Sequence, residues 1–254
     1  MVRNFHIGIM GNLFSGKTTL MHALATDPYK KDLEMILDGA DIHVFSERID
    51  KGSLTDECLA LFYKDRIANI FPTETAFLYM RTVQQREIRH LMTRENKRGA
   101  IVIEDRPFLD GPEVFVKRMI MSGEMPEAHA KLYRTLFCQT LHNERIRLPD
   151  LTVYLRCEPG QLEKRRRLRA ENGDSYAATI EENYLKEIHD GYENLSINWK
   201  TTLLKYQEHA IVPPDSELLT LPADIDMDEH PDYVHVIAGT IREKVRRMVQ
   251  ARSG

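Results

Sequence analysis

The stretch Gly11-Asn12-Leu13-Phe14-Ser15-Gly16-Lys17-Thr18 constrains this chain more than any other. It fits the pattern G-x-x-x-x-G-K-[S/T]. An apolar run, Phe5 to Met10, precedes it and reads as a strand; a helical pattern, Thr18 to Ala25, follows it. Glycines let the backbone wrap so that successive N–H groups point inward. The start of the helix adds its unpaired donors and the positive end of its dipole. Such a turn cradles phosphates. Lys17 places a cation against the outer phosphates, and the Thr18 hydroxyl, followed by Thr19, is a hard oxygen suited to Mg²⁺. Residues Gly11 to Thr19 are therefore expected to hold a nucleoside triphosphate.

Four further short runs rich in β-branched residues read as strands: Ile42 to Phe45, Ala100 to Ile103, Leu151 to Leu155 and, more weakly, Leu218 to Leu221. Helices are expected between them, at Thr73 to about Arg98, Pro126 to Leu141, Pro159 to Ala170 and Ile180 to Tyr206. A last helix carries Val234, Ile237, Ile241, Val245 and Met248. Alternating strands and helices imply an α/β fold with a parallel five-stranded sheet flanked by helices. With about 150 residues per domain, 254 residues make one large or two small domains; no linker is visible, and 1–254 reads as one. No run approaches the ~20 apolar residues of a membrane span. The N-terminus lacks the apolar core of a secretory signal. Three widely spaced cysteines suit reduced thiols and a cytoplasmic location. A net charge of −4 argues against nucleic acid as the main partner.

In a parallel sheet, ligands bind beyond the carboxyl ends of the strands. Three groups fall there. Glu47 can accept the proton of an attacking hydroxyl, or is a surface glutamate of Ser46-Glu47-Arg48. Asp105 can reach a metal or its water shell, and Arg106 can hold a phosphate or orient Glu47; the rival is a strand-end salt bridge. Arg165 and Arg169 share a helix face and can close over a transferring phosphoryl group, or belong to a solvated basic face. A GTPase needs a base-reading Asn-Lys-x-Asp, whereas the only Asn-Lys pair, Asn96-Lys97, runs into Arg98-Gly99. The set is that of a small-molecule kinase.

These residues carry a resemblance. The phosphate loop with Thr19, Glu104-Asp105-Arg106-Pro107, Val114 to Pro126, and Asp150 to Pro159 resemble the deoxynucleoside kinase family over nearly the whole chain. The resemblance implies a P-loop kinase with an arginine-rich lid at about 165–178, ATP and Mg²⁺ as cofactors, and a homodimer. It implies that Glu47 is the base for a 5′-hydroxyl, that Asp105 sits at Mg²⁺ and that Arg106 orients base and phosphoryl. Tyr63 and Asp174 match groups near the sugar 3′-hydroxyl, and Arg165 and Arg169 match lid arginines. Glu74 stands where the family has a base-reading glutamine, with Arg81 beside it.

Departures fall mostly on the base pocket. Pro107 replaces a serine, Arg48 a proline, and Gly111 a base-contacting aspartate, with Asp110 adjacent. Glu74 is a carboxyl in place of an amide. It is expected to pair with Arg81 or, as an ionised acceptor, to face the N–H donors of a guanine-like base, which favours a purine deoxynucleoside. Rival expectations are a thymidylate-type monophosphate kinase, a kinase for a modified nucleoside or a polynucleotide end, and a non-catalytic nucleotide-binding subunit.

Overall fold

The computed structural model describes residues 4–47, 49, 51–93 and 98–253. Five strands form one all-parallel sheet in the order β2-β3-β1-β4-β5: β1 Asn4–Gly11, β2 Asp41–Phe45, β3 Ala100–Asp105, β4 Leu151–Arg156 and β5 Glu217–Pro222. All five coincide with the apolar runs of the sequence. The three central strands are buried on both faces, which is why they read as continuous apolar runs.

Side chains alternate across the sheet. Phe5, Ile7, Ile9, Ile101, Ile103 and Val153 pack on one face, against α1 (Lys17–Leu24), α2 (Tyr29–Ile36) and α11 (Pro231–Ser253). Met10 and Tyr154 pack on the other face, in the core built with α4 (Arg66–Leu91), α6 (Glu127–Asn143) and α9 (Glu182–Ile197). The chain leaves β1 first toward β2 and β3 and later toward β4, so the direction of winding reverses at β1. That reversal opens a crevice beyond its carboxyl end.

The helices differ from expectation in several places. α2 and α3 (Leu54–Lys64) were not foreseen. Ser53 caps α3 by accepting a bond from the Asp56 amide at 3.2 Å. α4 begins at Arg66 rather than Thr73: Asp65 caps it by accepting the Ala68 N–H at 3.2 Å, and the helix runs on through Pro72, which lies on its exposed side. It ends at Leu91; Arg48 and the expected continuation through 94–97 lie outside the described residues. The long helix foreseen from Ile180 to Tyr206 breaks at Asn198 into α9 and α10 (Trp199–Tyr206).

After β3 the chain turns sharply at Arg106, then runs through a single π-helical stretch, Gly111–Val116, into α5 (Lys117–Met121). Pro107 lies across β1 at Gly8, where a Cβ would collide with the Pro107 ring and come within 2.8 Å of Pro149. Gly8→Ala is therefore expected to destabilise the protein by about 1–3 kcal/mol, read from the midpoint of urea unfolding. An unchanged midpoint would show that the two prolines yield freely.

Candidate active site

The loop from Gly11 to Thr18 lies at the crevice. Gly16 takes φ +90° immediately before α1, a left-handed conformation that glycine adopts freely. Asn12 pins the loop from both sides: its Oδ1 accepts the Leu13 N–H at 2.8 Å, and its Nδ2 donates to the Leu185 carbonyl of α9 at 2.8 Å. Lys17 is buried and donates to the carbonyls of Gly11 and Asn12 at 3.1 and 3.0 Å. Burial, helped by the nearby Arg106 charge, lowers its pKa to about 8. An anion in the loop would reverse that shift. The Ser15 hydroxyl is buried and has no hydrogen-bond partner among the described residues.

A cavity of about 300 Å³ opens beside the loop. Lys17, Thr18, Glu47, Tyr63, Glu74, Arg81, Asp105, Arg106, Arg169 and Asp174 all line it. Residues from α1, the segment after β2, β3, α3, α4, α7 (Pro159–Glu171) and the turn before α8 (Ser175–Thr179) thus meet in one place.

Glu47 sits in a fork of two guanidinium groups. Arg81 donates to Oε1 at 3.0 Å, and Arg106 Nε lies 3.0 Å from Oε2. Burial alone would raise the pKa of Glu47, but Arg106, Arg81 and Lys17 together hold it below the usual carboxylate range. It is an ionised carboxylate at neutral pH. Arg106 adopts φ +55°, a strained conformation for a residue with a side chain, and its guanidinium rests 4.8 Å from the centre of the Phe115 ring. Burial works against its charge, yet Glu47 and the other acidic neighbours keep its pKa above the ordinary arginine value.

Asp105 is largely buried, and burial raises its pKa against the pull of Lys17 and Arg106. Its Oδ1 has no hydrogen-bond partner among the described residues. An orphaned carboxylate oxygen lining the same cavity as the Thr18 hydroxyl is the donor set a hard cation prefers. Among the described residues no cluster of three acidic, histidine or cysteine side chains could hold an ion alone. The remaining ligands of a Mg²⁺ would be phosphate oxygens and water.

Phe77, Phe115, Met119 and Tyr184 give the cavity apolar walls, and Glu74 lines it with them. Glu74 is 7% exposed and makes no side-chain hydrogen bond among the described residues. Burial lifts its pKa to about 7, although Arg81 pulls the other way. The expected Glu74–Arg81 pair is not formed, since Arg81 turns to Glu47. Gly111 leaves Arg81 room to do so: a Cβ there would lie 2.6 Å from Arg81 Nη1. Phe77 is three residues after Glu74 and four before Arg81, so one helix face carries all three; that spacing could have flagged Phe77 from the sequence.

Several foreseen residues lie elsewhere. Asp110 is buried behind the cavity and accepts the Tyr192 hydroxyl at 2.8 Å. Burial raises its pKa to about 7, even against that hydrogen bond. Arg165 does not line the cavity. It donates to the carbonyls of Phe14 (3.1 Å) and Ala223 (2.7 Å) and pairs with Asp226 at 3.0 Å. It thus braces the outer side of the phosphate loop. Arg169, one turn on, lies 5.7 Å from the Phe14 ring centre and borders both the cavity and a second cleft of about 180 Å³. Thr19 lines that cleft and donates to Asp228 at 2.8 Å. Asp174 caps α8 through the Ala177 N–H at 3.0 Å. The Tyr63 ring packs 5.6 Å from Tyr176, whose hydroxyl donates to Asp56 at 2.6 Å, so α8 is tied to α3 at the cavity, which both tyrosines line.

The chain was compared with known proteins. The sequence profile of the deoxynucleoside kinase family matches residues 7–220. A comparison with curated protein sequences gives no match. Among solved structures, the chain is similar to a deoxyadenosine kinase from M. mycoides with the products dCMP and a flexible dCDP bound. The TM-score is 0.64 at 19% identity, covering 94% of this chain and 99% of that one. At that identity the likeness speaks for the fold. The profile match extends over most of the chain, and on that ground the protein belongs to the deoxynucleoside kinase family.

Proposed function

We propose that this phosphotransferase moves the γ-phosphoryl of ATP to the 5′-hydroxyl of a deoxynucleoside, with Glu47 as the general base. The observation that carries this reading is the Glu47 fork, set in the same cavity as Lys17 and Thr18. The triphosphate lies along the loop, and its nucleoside end falls toward the cleft bordered by Thr19, Arg165 and Met227. The acceptor fills the cavity, with its sugar near Tyr63 and Asp174 and its base between the apolar walls. The acceptor oxygen bonds to the γ-phosphorus while the bond to the β-phosphate oxygen breaks, and that oxygen leaves with the electron pair as ADP. The hydroxyl proton passes to Glu47. Phosphoryl transfer asks mainly for alignment and charge neutralisation, so a carboxylate of low pKa held by two arginines is suited to orient the hydroxyl. Thr18 and Asp105 would hold a Mg²⁺, which neutralises charge on the β and γ phosphates. Arg106 and Arg169 complete the positive surround of the phosphoryl.

The test is ATP consumption with a panel of deoxynucleosides and nucleoside monophosphates. Turnover with nucleosides supports the reading, and turnover with monophosphates alone overturns it. A monophosphate kinase needs a cation for the acceptor phosphate. Arg81, the candidate for that task, is already engaged with Glu47.

Glu74 is the residue placed to read the base, and its ionisation decides which edge it accepts. Ionised, it offers two acceptors and suits the N1–H and N2–H donors of guanine. Protonated, it offers one donor and one acceptor and suits the N1 and N6 edge of adenine. With a pKa of about 7 both forms exist near neutrality. The ratio of kcat/KM for deoxyguanosine over deoxyadenosine is expected to rise between pH 6 and 8, by up to about a hundredfold. The shared catalytic groups cancel in that ratio. Glu74→Gln should flatten the pH dependence and favour adenine; an unchanged ranking would remove Glu74 from base recognition.

The homodimer belongs to the same proposal. Ile67 and Tyr79 on α4 and Leu132 on α6 expose large apolar side chains, and Phe71 of α4 stacks on His129 of α6 at 4.8 Å. Sedimentation velocity should show twice the chain mass, falling to one chain on Tyr79→Glu and Leu132→Glu; a wild-type monomer contradicts it. Among the described residues no helix is long and apolar enough to cross a membrane.

A further inference from the structure

Directly before Asp105 in β3 stands a carboxyl group that the mechanism does not use. Glu104 is 1% exposed, on the sheet face opposite Ile103. Its Oε1 accepts the side-chain amides of Gln84 (3.2 Å) and Gln85 (2.5 Å), and its Oε2 lies 2.9 Å from His6 Nε2. His6 belongs to β1, which leads into the phosphate loop. Gln84 and Gln85 belong to α4, three and four residues beyond Arg81 and so on its helix face. Gln84 also borders the narrow gap behind Glu47, with Phe77, Arg81 and Asp105.

Burying so many polar groups is costly unless each finds a partner, and an apolar residue would pack here without that demand. Both carboxylate oxygens of Glu104 are bonded, while His6 Nδ1 has no partner among the described residues; such a directional cluster does something that an apolar contact does not: it fixes register. The three elements it joins carry the three parts of the site. β1 leads into the loop before Lys17, β3 ends at Asp105 and leads into Arg106, and α4 carries Glu74 and Arg81, which together with Arg106 holds Glu47.

We propose that Glu104 is a positioning residue that sets α4 against β3, and with it the distance from the base-reading end of the cavity at Glu74 to the reacting end at Glu47. The inference rests on the nucleoside-acceptor reading above. The cluster touches neither nucleotide nor acceptor. Its loss displaces α4 and leaves the phosphate loop, which is braced separately by Asn12 and Arg165.

The test is steady-state kinetics of Glu104→Ala on the full chain, with both substrates varied. kcat/KM for the nucleoside is expected to fall about 10–100-fold, with KM for ATP within about twofold of wild type. Glu104→Gln keeps an acceptor oxygen for both glutamine amides and should recover most of the loss. Should Glu104→Ala fail to fold, Gln84→Leu removes one arm of the cluster and is expected to show the same split. A folded Glu104→Ala or Gln84→Leu with wild-type nucleoside kinetics overturns the proposal. So does a variant in which the donor and acceptor constants worsen together. Wild-type turnover on nucleosides tests the underlying reading separately, because only the ratio of variant to wild type bears on Glu104.

Discussion

Replacing Glu47 by Gln is expected to lower kcat for nucleoside phosphorylation by about 10²–10⁴-fold, or roughly 2.7–5.5 kcal/mol of barrier. The amide has nearly the shape of the carboxylate and can still accept a bond from one arginine. It cannot take up the hydroxyl proton, and it brings an N–H₂ against a guanidinium. ATP binding should change little, because Lys17 and the loop lie on the other side of the reacting centre. Rapid-quench kinetics would place the loss in the transfer step, and calorimetric titration with ATP would serve as the control. The variant should also be less stable, since Arg81 and Arg106 lose the charge that compensates their burial. A fall in ATP affinity equal to the fall in kcat would mean that Glu47 organises the donor site instead.

Arg106→Lys is the second large effect, a loss of about 10³–10⁵-fold in kcat, the range an arginine on a transferring phosphoryl commands. Lysine keeps the charge but lacks the planar fork. The Nε–H that approaches Glu47 Oε2 at 3.0 Å disappears, and so does the guanidinium face resting on Phe115. The backbone at φ +55° makes Arg106→Ala less informative, because strain and lost chemistry would be confounded. A lysine variant within tenfold of wild type would assign the role to another cation in the cavity, with Arg169 the first to examine.

The five strands and the phosphate loop could be read from the sequence because burial on both faces leaves compact apolar runs that end where ligands bind. α2 was harder to see. Its apolar positions Tyr29 and Leu33 are few, and it packs against one face of the sheet. α3 did carry a signal, the Ser53-x-x-Asp56 cap. The start of α4 is hidden by Pro72, because a proline reads locally as a helix boundary.

The site divides along the same line. Residues at strand ends, Glu47, Asp105 and Arg106, lie where the topology sends them. Asp110 and Arg165 have the chemistry of site residues, yet their side chains are drawn off by Tyr192 and Asp226, and such competition is tertiary. Glu74 shows the limit most clearly. Its position was foreseen but its charge was not, because a pKa of about 7 comes from burial, with the Glu47 charge adding to it and Arg81 pulling the other way. No local pattern around residue 74 contains those facts.

The claim that carries the rest is that an acceptor hydroxyl lies beside Glu47 with the terminal phosphate of ATP in front of it. Phosphorus-31 NMR of the products formed from ATP, Mg²⁺ and a deoxynucleoside tests this most directly. The account predicts ADP and a phosphomonoester on the 5′-carbon, formed by the wild type and reduced at least about a hundredfold by Glu47→Gln. ADP with inorganic phosphate alone, or a 5′-monophosphate formed equally well by the variant, would contradict it.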